Sequence, residues 1–155
     1  MLVERTMVSE SVLLISTLSL IIELVVLGLL IFAYVLRGKK LFRQHGITMT
    51  SAVALHIITI LAVMLPSFST FFTPPGTISS RVIDPIVIVS FIHVALGLTA
   101  VAIGTWLVAS WHFKTDLQTC FANEKKMKPT LALWVTAILL GIIMYVTFWA
   151  SLLLS

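Results

Sequence analysis

Four long apolar runs alternate with short polar stretches along this chain. In order they cover about residues 11–36, 46–65, 85–113 and 130–154. A helix needs about 20 residues to cross a hydrocarbon core of roughly 30 Å, so each run predicts a membrane span. Proline punctuates the pattern. Pro66 closes the second span, while Pro85 and Pro129 open the third and fourth, where a first helical turn accepts proline. Trp106, Trp111, Trp134 and Trp149 fall towards span ends, the place of interfacial aromatics.

The polar stretches set the orientation. RGKKLFRQH carries Arg37, Lys39, Lys40 and Arg43, and KTDLQTCFANEKKMK carries Lys114, Lys125, Lys126 and Lys128. Basic connections stay on the cytoplasmic side, and two separate connections give the same answer. The segment SFSTFFTPPGTISSR between spans two and three is rich in Ser, Thr, Pro and Gly and reads as an outer loop. Its Phe68, Phe71 and Phe72 are expected at the membrane interface. The expected fold is therefore all-α: one domain over residues 1–155, a four-transmembrane-helix up-and-down bundle with both termini outside.

Composition agrees and narrows the class. Only 10% of residues are charged and 59% are hydrophobic, against roughly 25% charged in a soluble domain. With a mean hydropathy of +1.13, the main solvent is lipid, and the chain reads as a multi-pass protein of the plasma membrane. The formal charge of +4 comes from cations placed beside apolar runs, where anionic head groups meet them. Nucleic acid is not an expected partner. A single cysteine, Cys120, excludes an internal disulfide and a cysteine-rich metal site. The first apolar run, preceded by Glu4, Arg5 and Glu10, is too long for a cleaved leader and reads as a span. No phosphate loop, paired zinc motif or Ser-His-Asp set is present, and the chain is not expected to be an enzyme.

The candidate chemistry is histidine. From Pro85 to Phe113 there is no Asp, Glu, Lys or Arg, yet His93 lies inside the run and His112 near its end. His93, Gly97, Ala100 and Gly104 share one helical face, an imidazole heading a groove of small residues. His45, Met49, Ala52 and His56 repeat that spacing on the second span, with the two histidines about 16 Å apart along the axis. Depths reckoned from Pro66 and Pro85 put His56 and His93 close to one level, with Glu23 of the first span near it. Such a two-walled site suits a b-type haem, with His56 and His93 as axial ligands and Gly97 and Gly104 admitting the macrocycle. His45 and His112 form a second candidate pair for haem or a metal, so the haem count is one or two. Copper is the alternative metal, which Met49, Met64 and Met144 would suit. Glu23 is expected to be a buried proton or hydrogen-bond partner. The competing reading needs no cofactor: the histidines are polar glue between helices, and the chain is a structural subunit of a respiratory complex.

A family resemblance attaches to particular motifs. RQHGITMTSA opens the second span, a His-Val-Ala stands at His93, WHF ends the third, and KKMKPTLALWVTAILLGIIMY follows. This resembles the small four-helix membrane family that contains YozB and the haem-copper oxidase assembly factor CtaM. His45, His93, His112, Pro129, Trp134, Gly141 and Tyr145 match that family's pattern over roughly residues 40–150. His45 is followed by Gly46 where the family has a basic residue, Trp134 lies five positions after Pro129 where the family has Pro-x-x-Trp, and His56 is not a position carried over from the family. The resemblance implies a role in assembling or accompanying a haem-copper oxidase. A homo-oligomer is left open.

Overall fold

The computed structural model describes residues 2–66, 85–114 and 124–154, with side chains described within 14–66, 85–112 and 125–147 except Ile86. The chain forms α1 (Leu2–Gly38), α2 (Phe42–Thr59, running on through a π-helical turn at Ile60–Met64), α3 (Pro85–Lys114) and α4 (Glu124–Leu154). All four are long and apolar enough to cross a membrane. They pack as an antiparallel four-helix bundle in which α1 lies chiefly on α2, and α3 on α4. Cys120, the outer-loop phenylalanines Phe68, Phe71 and Phe72, and the side chain of Trp149 lie outside the described residues.

Helix starts differ from expectation in three places. The first helix begins at Leu2, ahead of the apolar run expected from about residue 11. The second helix begins at Phe42, so His45 and Gly46 are helical rather than at the edge of a span. The last begins at Glu124 and carries Pro129 inside it. Proline deletes one donor and crowds the preceding turn, but close to a helix start few intrahelical bonds are lost.

The α1–α2 turn shows how tightly that hairpin is closed. Leu41 N–H donates to the Leu36 carbonyl and Lys40 N–H to the Arg37 carbonyl, both at 3.0 Å, the paired bonds of a Schellman motif. The motif needs a left-handed residue, and Lys40 supplies it at φ 59° where glycine is usual.

In lipid, helices gain little from hiding apolar surface, and association rests on close packing and hydrogen bonds. The buried positions show both. Glu23, Val26, Leu30, Ala33 and Leu36 form one stripe on α1, facing Ala52, Val53 and His56 of α2. Trp134 has no exposed surface and sits at the centre with Ile138 and Ala100. Outside this core, leucines and isoleucines such as Leu18, Ile31, Ile58, Leu98 and Ile143 are half exposed, as a lipid-facing surface requires.

Trp134 thus departs from the interfacial place expected of it. Its ring enters the slot that Gly104 leaves on α3; a Cβ there would stand 2.6 Å from Trp134 Cζ3. The flat group lying against the small-residue face of α3 is the protein's own indole.

Candidate functional site

Each hairpin is tied by a histidine. On α2, His45 Nδ1–H donates to the Ala33 carbonyl of α1 at 2.8 Å. On α3, His93 Nδ1–H donates to the Ala137 carbonyl of α4, also at 2.8 Å. A carbonyl only accepts, so both Nδ1 atoms carry a proton, which in a neutral ring leaves the lone pair on Nε2. Gly141 makes the second bond reachable: a Cβ there would meet His93 Cε1 at 3.1 Å.

His56 and Glu23 form the second feature. His56 Nδ1 lies 3.1 Å from Glu23 Oε1, both side chains are buried, and the His56 ring stands edge-on to Trp134 with centroids 5.3 Å apart. The expectation that Glu23 comes close to His56 in depth fits this contact. His112, by contrast, is exposed and shares a 3.2 Å contact with Thr50 Oγ1. Because the Thr50 hydroxyl donates to the Gly46 carbonyl, the His112 Nε2–H is the donor to Thr50.

His56 and His93, expected to face one another, are not brought together. Gly46 packs on Trp111 and Gly104 close to Val53. Extended along antiparallel helices, that register puts Val101 level with His56. His93 is then about eight residues, roughly 12 Å, nearer the outer end. Reckoning depth from Pro66 and Pro85 assumed level helix ends, whereas α3 overhangs α2 on the outer side. The expected second pair diverges too, with His45 buried against α1 and His112 exposed. Gly97 has nothing within 4 Å of where a Cβ would stand, and Gly104 is filled by Trp134. Met49 and Met64 are about fifteen residues, some 22 Å, apart on one helix. Among the described residues, no three His, Cys, Asp or Glu side chains converge as a metal cluster.

What sequence reasoning missed is a cleft at the basic end, between all four helices. Its cavity is small, about 70 Å³, well below the several hundred Å³ of a typical small-molecule site. Leu30, Leu107, Val108 and Leu131 give it apolar walls, Trp134 stands at its inner end, and Trp111 crosses it from α3. His45, Met49 and Tyr34 line it, and Arg37 and Lys128 stand among the wall residues. Trp111 approaches because Gly46 has no side chain; a Cβ there would be 2.5 Å from Trp111 Cζ2. The signal was present in the sequence as a glycine beside His45 and a tryptophan beside His112.

Comparison of the chain with family models, with curated proteins and with solved structures returns no match.

Proposed function

We propose that this chain is a b-haem-binding protein of the plasma membrane that serves the maturation of a haem-copper oxidase or electron transfer beside it. The observation that carries this reading is His45. Its Nδ1–H is held by the Ala33 carbonyl in the wall of an apolar cleft that also holds Arg37 and Lys128. A ligating histidine almost always has its other ring nitrogen fixed in this way. The lining groups are of the kinds haem takes, with an imidazole for the iron, apolar walls for the macrocycle and two cations for the propionates, and the cleft, about 70 Å³ as it stands, would have to open to admit it. His45 would hold the iron, with Arg37 and Lys128 on the carboxylates. When bound, the group supplies one-electron chemistry or is itself the cargo. His56 and His93 are not assigned as a pair, because the register separates them.

The experiment is an absorption spectrum of protein purified from haem-replete membranes, oxidised and then reduced. A b-type band that His45→Ala abolishes and His93→Ala retains supports the proposal. A folded, colourless protein that takes up no added haem overturns it.

A second reading has its own observation. Three histidines already share a hydrogen bond with the protein, at Ala33, Ala137 and Thr50, and His56 lies against Glu23. That suits a structural subunit of a respiratory complex, whose histidines hold helices together. Co-purification with a stoichiometric membrane complex, with no cofactor in this chain, would favour it.

A further inference from the structure

Above the cleft, in the middle of the bundle, four buried polar atoms lack an oriented hydrogen-bond partner. They are both carboxyl oxygens of Glu23, Nδ1 of His56 and Nε1 of Trp134. Glu23 is 7% exposed, His56 4% and Trp134 not at all. The 3.1 Å approach of His56 Nδ1 to Glu23 Oε1 is short enough for a bond, but its angles fall short of one. Native interiors rarely leave buried polar groups in this state, and a lone carboxylate in the bilayer core is strongly disfavoured.

Among the described residues, no other ionisable side chain contacts the pair. On α2 the next histidine is His45, about 16 Å away along the axis, with Arg37 of α1 near its level. On α3, His93 is bonded to Ala137, and His112 is at the basic end. On α4, Tyr145 Oη shares a 2.9 Å bond with Thr17 Oγ1 towards the outer end, and Lys126 lies over the Trp106 ring near the basic one. The balance is therefore internal to the cluster. Glu23 carboxylate with neutral His56 carries one negative charge; one added proton, shared between Oε1 and Nδ1, makes the pair net neutral. Low dielectric favours that neutral pair over either unbalanced form.

We propose that Glu23 and His56 form a proton-binding site in the bundle core that takes up and releases one proton. The Trp134 ring stands edge-on to His56 and separates the pair from the cleft, which Trp134 also lines. The proposal stands whether or not haem fills the cleft.

The test is infrared difference spectroscopy of the full-length protein in lipid vesicles, titrated over roughly pH 5 to 9. A carboxylic C=O band that appears as pH falls, is absent in Glu23→Gln and shifts in deuterium oxide supports the site. Glu23→Asp keeps the carboxyl and should move the band rather than remove it, which covers a Gln variant that fails to fold. A Glu23 carboxyl fixed in one protonation state across that range, or whose proton does not exchange with deuterium, overturns the proposal. So does a pH-dependent band unchanged in Glu23→Gln.

Discussion

Trp134 and Gly104 are a fitted pair on facing helices: the indole occupies the space that a side chain at Gly104 would need. Gly104→Ala should therefore be costly. With a Cβ 2.6 Å from Trp134 Cζ3, overpacking of this kind destabilises by about 1–3 kcal/mol. Gly97→Ala on the same face meets nothing within 4 Å. It should be neutral or gain roughly 0.5–1 kcal/mol from helix propensity. Reversible unfolding of both variants in mixed micelles would compare them directly, and equal effects would contradict the fitted-pair account.

Lys40 is a residue in a glycine's place. At φ 59° it closes the α1–α2 turn, at a cost of about 1–2 kcal/mol for an L-residue in the left-handed region. Lys40→Gly should raise stability by up to about 1 kcal/mol, the remainder being offset by the freer unfolded chain. The same unfolding assay reads it, and a loss of stability would show that Lys40 has a role beyond backbone shape.

The Glu23–His56 pair should behave as a unit. Glu23→Leu alone leaves His56 Nδ1 buried without its neighbour, which costs about 1–3 kcal/mol. The double variant Glu23→Leu/His56→Leu should be more stable than the sum of the two singles predicts. Additive losses in a double-mutant cycle would mean the two side chains do not interact.

Hydrogen bonds between helices in lipid are modest. Tyr145→Phe removes the 2.9 Å contact with Thr17 and should cost about 0.6 kcal/mol, the mean for such bonds. Gly141→Leu should cost more, because its side chain would displace His93 from the Ala137 carbonyl. Chemical-shift changes at the His93 ring in the second variant, and their absence in the first, would separate the two effects.

The four spans were legible because charge and proline mark their ends. Pro85 and Lys114 bound α3 within one residue of expectation. Glu23 and His56 were readable only as lying at a similar depth; their 3.1 Å approach depends on which faces of α1 and α2 meet. Depth across the α2–α3 seam was not readable. There the register depends on how Gly46 receives Trp111 and where Gly104 lies against Val53, and no periodicity within one helix encodes that fit. Trp134 misled for a related reason: its distance from a span end suggested an interface, while its slot is cut in another helix. The cleft escaped notice because its walls come from four helices, none of which shows a continuous polar face.

The grouping of the helices has one further consequence. α1 with α2, and α3 with α4, are the closely packed partners, and residues from both pairs line the cleft. It therefore lies on the seam between the two helix pairs, which Trp111 on Gly46 and His112 on Thr50 bridge at the same end. Widening its mouth would part those two contacts without breaking a helical hydrogen bond. The basic end of this bundle is built like a pair of jaws.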